Sequence, residues 1–569
     1  MRYLRPVASS VVVPEGNLRL VLPLFLAFSL MATTPATAQT TPPVQTTPTI
    51  PYTLTFVAAP QPSTLPALHS YCLANVSPTQ WLILGGRLQG LHQFNPSGNF
   101  AGPNTMLWSV NPVAGTSVQV ADLSQLSASF ADPLTATNQQ CEYHPESNAW
   151  YIVGGYGVIH ATGQYTTFPT IIRIPVSQVA AAATNTTYTA AQRQAAVAGI
   201  ITNPVNLVTN NALKVTGGSL SHTAAGLEFL AFGQDFEGNY NPFGSFTQTY
   251  TNQVLPFVIS TTGTANPPAF SIKTYDPITS SDSTMPWNRR DFASGYDVDP
   301  TTGLERYSVF GGVFPPGKIA AYDFPVYITG NGVSIAVNSD HNLSQHFGFY
   351  ESPIISVWDG SSIYHTFFGG IGHFFLNQTA DQATVYKMVT AQGRNDGMPF
   401  IEDVATLLEN SSGQYQEVVS QDPIPGGLLH GASVDFIPNL SVASHFQGTE
   451  NSVVNLSTFT DGEKELIGYI YGGIEATFPL PCYPSHGTIA TNTLYSVYLS
   501  KGPWPNLVPA STATEASGVY PHNTAAVQPA APNSGPPVYT PPNPCATAPI
   551  GLTKLPPKSV KKPIQGNQR

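Results

Sequence analysis

The chain has 569 residues, of which only 9% are charged, and its formal net charge is −11. This length suits one large ring-shaped domain or two to three ordinary domains. The body is acidic and lacks a basic stripe, which excludes a nucleic-acid groove, and 48 Gly and 53 Pro favour turn-rich β-structure over helical bundles.

The N-terminal segment has the pattern of a secretory signal. Arg19 precedes the apolar run 20–30, and Ala36 and Ala38 follow with cleavage-site spacing. The run is short for a bilayer span, so an uncleaved anchor is the weaker alternative. We expect a signal peptide over 1–38, a Thr/Pro-rich leader over 39–51, and a mature chain without a membrane span. The mature chain would be secreted, periplasmic or held at the cell surface.

A strand and a repeat follow the leader. Residues 52–57 (YTLTFV) alternate and are β-branched, which predicts a strand. Six later apolar runs end in glycine: 81–86 (WLILGG), 150–155 (WYIVGG), 229–234 (FLAFGQ), 307–312 (YSVFGG), 365–370 (HTFFGG) and 469–473 (YIYGG). We assign a structural role to their glycines, which are Gly85, Gly86, Gly154, Gly155, Gly233, Gly311, Gly312, Gly369, Gly370, Gly472 and Gly473.

Each repeat has the same order of elements. In the first, a strand over 68–74 and a turn precede the glycine landmark, and strands at 105–110 and 117–121 follow. Four strands and one variable loop describe a blade of a β-propeller. The landmarks lie 58 to 103 residues apart, so the blades carry insertions, and one of these, over 188–200, favours a short helix.

The two ends of the repeat region suggest how the ring closes. The sixth repeat has a third strand over 492–498 but no clear fourth, and the strand at 52–57 has no partner of its own. We expect this strand to complete the last blade and cover an open edge. The predicted fold is therefore all-β, a six-bladed propeller over 52–510 closed by its N-terminal strand. A Pro-rich tail with a basic end, 518–569, is expected to be disordered.

Four cysteines remain after cleavage and allow three pairings. Cys72 and Cys141 each lie 13 residues before their landmark glycine, so they occupy equivalent places in neighbouring repeats. A disulfide between blades would fit an oxidising compartment, and two buried thiols are the open alternative. Cys482 and Cys545 are not assigned. No Cys/His spacing resembles a zinc motif, so we expect neither a metal nor a cofactor.

The apolar strand that ends in two glycines resembles the kelch repeat, over roughly 52–505. Segments 367–372 (FFGGIG), 431–438 (GASVDFIP) and 466–474 (LIGYIYGGI) are similar to uncharacterised secreted kelch-type proteins of Bacteroidetes. The resemblance implies a propeller in which an aromatic residue of the third strand packs beneath the glycine pair. The single glycine of the 229–234 landmark departs from the pattern.

Polar residues near the start of each first strand are the candidate site, because such strands line a propeller's channel. These candidates are His69, Gln139, His222, Arg289, Arg290, Asp291, Glu351 and His430. The arginine pair could hold a carboxylate or a sugar acid, or could pair with Asp291 or Glu351. The three histidines could meet as metal ligands or acid/base groups. The alternative is a water-filled channel lined by satisfied polar groups.

We expect a monomeric, secreted binding module for a carbohydrate, a cell-surface polymer or a surface protein. The runner-up is an enzyme centred on the channel. Kelch-type relatives include sialic-acid mutarotases and copper radical oxidases, and the resemblance allows a mutarotase built on Arg290, Glu351 and the histidines. The copper constellation of the oxidases is not matched. A structural surface protein without a small ligand is the third reading.

Overall fold

The computed structural model describes residues 48–60, 63–91, 102–240, 246–263, 268–282, 286–316, 321–331, 334–372, 374–379, 382–387, 399–476 and 488–510. All of them belong to one compact unit. The predicted signal peptide, most of the leader, Cys482, Cys545 and the tail lie outside the described residues.

Strands dominate the described chain, as the all-β prediction requires. In chain order they are β1 Tyr52–Ala58, β2 Cys72–Ser77, β3 Gln80–Leu84, β4 Met106–Asn111, β5 Thr116–Asp122, β6 Gln140–His144, β7 Ala149–Val153, β8 Tyr156–Ile159, β9 Gln164–Thr167, β10 Thr170–Pro175, β11 Leu207–Thr209, β12 Ser219–His222, β13 Glu228–Ala231, β14 Gln234–Gly238, β15 Phe246–Tyr250, β16 Gln253–Thr262, β17 Ala269–Thr274, β18 Ile278–Thr279, β19 Ala293–Val298, β20 Glu305–Phe310, β21 Val326–Gly330, β22 Ile335–Ser339, β23 Ile354–Trp358, β24 Ser362–Phe368, β25 Phe374–Thr379, β26 Gln382–Lys387, β27 Val404–Asn410, β28 Tyr415–Ser420, β29 Leu429–Ala432, β30 Phe436–Pro438, β31 Phe446–Gln447, β32 Val453–Asn455, β33 Lys464–Tyr471, β34 Ile474–Ala476, β35 Thr488–Ala490, β36 Leu494–Lys501 and β37 Leu507–Pro509.

These strands form six antiparallel sheets of at least four strands among the described residues. In order of their first strands they are sheet I (β2-β3-β4-β5), sheet II (β6-β7-β10-β11), sheet III (β12-β13-β16-β17, with β18 beside β16), sheet IV (β19-β20-β21-β22), sheet V (β23-β24-β27-β28) and sheet VI (β30-β33-β36-β1). Sheet V is extended by β32 and β31 on one side and by β37 on the other, and β23 pairs with β32 in parallel. The hairpins β8–β9, β14–β15 and β25–β26, and the sheet β29-β34-β35, are inserted around these sheets.

Three α-helices and six short 3-10 helices complete the described elements. They are α1 Ala128–Leu134, α2 Val176–Thr184 and α3 Ala190–Ile201, and the 3-10 turns Leu123–Gln125, Pro204–Asn206, Asn211–Leu213, Leu440–His445, Thr449–Asn451 and Leu456–Thr458. The helix expected within 188–200 is α3, which begins with a capping box between Thr189 and Gln192. Within the described part of the chain, none of the helices has the length and apolar character needed to cross a membrane.

The second strand of each repeat is apolar because it is covered on both faces. β7 is buried along its whole length, and β3 is buried from Trp81 to Leu84. Apolar clusters fill the spaces between neighbouring sheets, for example around Trp150 between sheets I and II and around Phe257 between sheets II and III. Packing on both faces explains why the landmarks read as continuous apolar runs rather than alternating ones.

The glycine landmarks connect each sheet to the next. The Gly155 N–H donates to the Val215 carbonyl at 2.9 Å, and a Cβ at Gly154 would overlap that same oxygen. Equivalent bonds of 2.7–3.0 Å run from Gly86 to Ala136, Gly233 to Arg289, Gly312 to Phe349, Gly370 to His430 and Gly473 to Leu68. All the landmark glycines have positive φ, which residues with a Cβ rarely adopt. The bond from Gly473 returns to the start of sheet I, so these hydrogen bonds form a closed cycle.

Two further contacts join distant parts of the chain. β1 pairs with β36 along its length, from Tyr52 opposite Lys501 to Ala58 opposite Tyr495, as the fourth strand of sheet VI. This is the partner expected for the strand at 52–57. Cys72 on β2 and Cys141 on β6 form a disulfide with a Cα–Cα distance of 5.9 Å, which links the first strands of sheets I and II.

Candidate functional site

The first strands of all six sheets line one cavity of about 550 Å³, which we call the axial cavity. Its polar walls include Ser70, Tyr71, Asn75, Asn138, Gln139, Gln140, Glu142, Tyr143, Ser219, Ser221, Ser294, Tyr296, Tyr307, Glu351, Ser356, Ser433, Asp435 and Glu450. This volume lies in the range of small-molecule sites. Because every sheet contributes its first strand, the chemistry of the cavity is assembled from six separate parts of the sequence.

Beside the axial cavity is a polar ring, which has one residue from just before the first strand of each sheet, and four of its six members line the cavity. Its members are Ser70, Asn138, Gly217, Asp291, Glu351 and Ser433, and all of them have φ between 38° and 67°. The N–H of each donates to the carbonyl of the preceding member at 2.9–3.3 Å, except that Val434 replaces Ser433 as the donor to Glu351. Five side chains are therefore held in the left-handed region, a conformation that is concentrated at functional sites.

Two carboxyl groups are neighbours in the polar ring. Asp291 Oδ1 accepts from the Asn138 amide at 2.8 Å, and its Oδ2 lies 3.5 Å from the Arg290 Nε. Burial raises the pKa of Asp291, more than the positive charge of Arg290 lowers it. Burial and the Asp291 carboxylate also raise the pKa of Glu351 well above its usual range. The charged form of both carboxyl groups is therefore disfavoured, chiefly by burial.

A smaller cavity of about 50 Å³, which we call the arginine chamber, lies against the polar ring. It is lined by His69, Ser70, Arg87, Leu91, Thr137, Asn138, Tyr156, Thr216, Gln234, Phe236, Tyr240, Arg290, Asp291 and Tyr350. The Arg290 guanidinium lies 6.0 Å from the ring centre of Tyr240. Burial lowers the pKa of Arg87 to about 9 and that of His69 to about 3, so His69 is neutral.

The two cavities differ in charge. Four carboxyl residues line the axial cavity, namely Glu142, Glu351, Asp435 and Glu450, and no Lys or Arg does so among the described residues. The arginine chamber holds Arg87 and Arg290 against the single carboxyl of Asp291. Burial raises the pKa of three of the axial carboxyls, Glu351, Asp435 and Glu450. An anionic ligand would therefore be favoured in the arginine chamber, and a neutral one in the axial cavity.

A second group of titratable residues lies further along the strands than the polar ring, where β6 and β12 end. We call Glu142, His144, His222 and Glu228 the His/Glu cluster, and one ligand-type atom from each lies within 4.8 Å of the others. Glu142 Oε1 lies 2.8 Å from His222 Nδ1 and accepts from the Tyr296 hydroxyl at 3.1 Å. Although burial opposes it, the bond to Glu142 raises the pKa of His222 to about 9, while burial raises the pKa of Glu228.

The predicted site residues are divided among these features. His69, Arg290 and Asp291 line the arginine chamber, Gln139 and Glu351 line the axial cavity, His222 belongs to the His/Glu cluster, and Arg289 and His430 line neither cavity. The three histidines therefore do not meet at one place.

The prediction that Arg289 and His430 lie at the channel mouth is wrong. The Arg289 guanidinium is fully buried and lies 4.4 Å from the ring centres of both Tyr322 and Phe324. His430 is also fully buried, with Nε2 2.5 Å from the Gly472 carbonyl oxygen. Both side chains are buried and line neither cavity, so neither is available to a ligand there.

The position of Arg289 and His430 in the repeat explains this correction. Each is the residue whose carbonyl accepts the hydrogen bond from a landmark glycine. The equivalent residues of the other sheets are apolar and, like these two, buried: Leu68, Ala136, Val215 and Phe349. One residue later along the chain, the side chains of His69 and Arg290 lie in the arginine chamber.

Several residues of these sites were missed from the sequence, although signals existed. Arg87 and Tyr156 directly follow a glycine pair, a position that lines the arginine chamber. Glu142 and His144 alternate along β6, which places them on one face of the strand. The sequence predicts no metal centre because no Cys/His spacing resembles a zinc motif, and these two residues lie far in sequence from their partners on β12 and β13.

Comparisons with known proteins give no family for this chain. No family model matches it, and no curated protein matches it. Among solved structures, one described as "Structure of YjhT" is 11% identical over 76% of this chain and 99% of its own, with a TM-score of 0.36. A copper complex of a fungal alcohol oxidase of the AA5 family is 10% identical over 80% of this chain and 98% of its own, with a TM-score of 0.27. Likenesses at this level say nothing about the ligand or activity of this chain.

Proposed function

We propose that the chain is a six-bladed β-propeller of the kelch type, and that its axial cavity binds a small, neutral, hydroxyl-rich ligand such as a sugar. Two closed cycles of backbone hydrogen bonds, through the landmark glycines and through the polar ring, support the six-bladed arrangement. β1 supports closure because it belongs to the same sheet as β36. Secretion and a monomeric state remain part of this proposal.

The lining of the axial cavity carries the proposal about the ligand. Carboxylates accept hydrogen bonds from sugar hydroxyls, and bonds to charged groups are the stronger ones. Serine hydroxyls from different sheets add donors and acceptors, and the rings of Tyr71 and Tyr143 supply surface for the apolar face of a sugar. The same wall has no Lys or Arg among the described residues to hold a carboxylate ligand.

The sequence predicts that the arginine pair could hold a sugar acid, and such a ligand would have to bind in the arginine chamber. Arg290 faces it, but this guanidinium already lies beside Asp291 and over the ring of Phe314, 5.5 Å from its centre. The chamber's volume of about 50 Å³ is also far below that of a typical ligand site. We therefore favour the neutral ligand.

A second candidate function is acid–base catalysis of sugar ring opening at the polar ring. It is favoured by the adjacent carboxyls of Asp291 and Glu351, whose pKa values are both raised. One carboxyl would protonate the ring oxygen while the other removes the proton of the anomeric hydroxyl. The bond between the anomeric carbon and the ring oxygen would break, and closure on the other face would give the second anomer.

Calorimetric titration with neutral and carboxylated sugars tests the binding proposal. We expect a neutral sugar to bind, and Glu351→Gln to weaken binding by up to about tenfold because a hydrogen bond between the carboxyl group and a sugar hydroxyl is lost. Glu465→Gln, on β33 and outside the axial cavity lining, is the matched control and should bind as the wild type does. The proposal fails if no neutral sugar binds, or if only carboxylated sugars bind and Arg290→Ala abolishes it.

The catalytic candidate has a separate readout. The rate of exchange between the two anomers of the bound sugar, measured by NMR, should rise with wild-type protein and fall to the uncatalysed rate with Glu351→Gln or Asp291→Asn. If the anomers exchange at the uncatalysed rate in the presence of wild-type protein, the catalytic candidate is rejected and only the binding function is kept.

A further inference from the structure

We infer that the His/Glu cluster is a binding site for one divalent transition-metal ion, of which zinc is the best match. The site does not depend on the ligand proposed for the axial cavity. Glu142 and His144 are two residues apart on β6, so their side chains share a face. His222 and Glu228 are directly opposed across the β12–β13 pair. Sheets II and III thus each present one carboxylate and one imidazole.

Unpaired ligand atoms in the cluster are the first support. Among the described residues, Glu142 Oε2, His144 Nε2 and Glu228 Oε2 are buried and make no hydrogen bond of good geometry, and their ion-pair contacts are only with one another. These three residues are only 5%, 7% and 5% exposed. Polar atoms buried without a partner are costly, and buried carboxylates especially so, unless a cation compensates them. All three atoms belong to residues of the same cluster, so one bound cation could contact all of them.

The spacing of the atoms is the second support. His144 Nε2 lies 3.3 Å from Glu142 Oε2 and 3.7 Å from Glu228 Oε2. Tetrahedral zinc has bonds of about 2.0–2.1 Å to nitrogen and oxygen, so its ligand atoms are roughly 3.3–3.4 Å apart. Since all four ligand atoms are within 4.8 Å of one another, the gaps that side-chain rotation has to close are at most about 1.5 Å.

Outer contacts hold the ligands in orientation. His144 Nδ1 lies 3.4 Å from the Glu146 carboxylate, which favours the tautomer with the Nε2 lone pair facing the cluster. Glu142 Oε1 accepts from the Tyr296 hydroxyl at 3.1 Å, and this hydroxyl is also 2.6 Å from the Ser221 Oγ. Imidazole–carboxylate and carboxylate–hydroxyl contacts of this kind are typical of the outer shell of a metal site.

The donor set selects the class of metal. Two imidazoles and two carboxylates suit zinc, and cobalt as its substitute, whereas calcium and magnesium prefer oxygen ligands alone. Because Glu142 and Tyr296 also line the axial cavity, the ion would lie at the cavity wall. It would also connect sheets II and III.

The test uses purified protein stripped with a chelator and then titrated with ZnCl2, and separately with CoCl2 as an optical probe. We expect one zinc ion per chain, a higher melting temperature, and the visible absorption of cobalt with nitrogen and oxygen ligands. His144→Gln and Glu228→Gln should each weaken zinc binding at least 100-fold. His160→Gln is the control, because that histidine pairs with Asp132 outside the cluster and should leave zinc binding unchanged.

Each outcome decides the proposal. Two cluster variants are used because either of them could fail to fold. A thermal melt of each variant shows whether it is folded, and the folded variant carries the test. The proposal is overturned if wild-type protein shows no saturable zinc or cobalt binding up to 100-fold molar excess. It is also overturned if both folded variants bind as tightly as wild type, since the ion would then be held elsewhere. Calcium binding with the same stoichiometry and the same sensitivity to both variants would reject a transition-metal site.

Discussion

Removing the side chain of Leu54 tests whether β1 is an integral part of sheet VI. Leu54 is opposite Leu499 in the β1–β36 register, is 5% exposed, and belongs to the apolar cluster around sheets V and VI. Leu54→Ala removes buried methyl groups and leaves a cavity, so we expect a loss of about 2–5 kcal/mol of unfolding free energy. Val57→Ala on the same strand should cost less than about 0.5 kcal/mol, because Val57 is 47% exposed.

Urea unfolding followed by tryptophan fluorescence measures both variants against wild type under identical conditions. Deleting residues 52–57 altogether should lower the melting temperature sharply, because the edge of β36 is uncovered. The reasoning is refuted if Leu54→Ala and Val57→Ala lose the same small free energy, or if the deletion leaves the melt unchanged. Either result would mean that β1 is only loosely attached to the sheet edge.

Three further predictions concern stability. Arg306→Met should destabilise the fold by about 3–5 kcal/mol in urea unfolding, because it leaves the Asp297 and Glu409 carboxylates buried without their shared guanidinium. Adding Asp297→Asn should recover part of the loss. Full stability of the single variant would contradict this prediction. Reducing the disulfide between β2 and β6, which closes a 69-residue separation, should cost about 4 kcal/mol by loop entropy, measured with and without reductant. Burial raises the pKa of Asp403 to about 7 in the folded chain, so the folded state holds an extra proton between the unfolded pKa near 3.8 and pH 7. Stability should therefore fall as pH rises through this window in wild type, and Asp403→Asn should gain over wild type from pH 4 to pH 7; a constant difference across these pH values would refute the buried, protonated carboxyl.

Local patterns along the chain were sufficient to predict the repeat. The landmark runs are apolar because second strands are buried on both faces, and their glycines have the positive φ that the bond to the next sheet requires. Strand β1 and helix α3 were predictable for the same reason, since alternation and helix propensity are properties of neighbouring residues. The equivalent spacing of Cys72 and Cys141 followed from the repeat as well.

The direction of individual side chains was less accessible. Arg289 and Arg290 are adjacent and equally polar, yet one packs between aromatic rings and the other faces a cavity. The two residues differ by one position relative to the residue that is hydrogen-bonded to the landmark glycine. This difference is visible only when all six sheets are aligned by these hydrogen bonds.

The sequence alone determined the repeated strands, the turn glycines and the acidic character of the body, because these depend on residues close together in the chain. Only the tertiary structure decided that acids line the axial cavity, that the arginines lie beyond the polar ring, and that Glu142 meets His222, 80 residues away. Such meetings depend on how separate sheets pack around a common centre. No local periodicity encodes that packing.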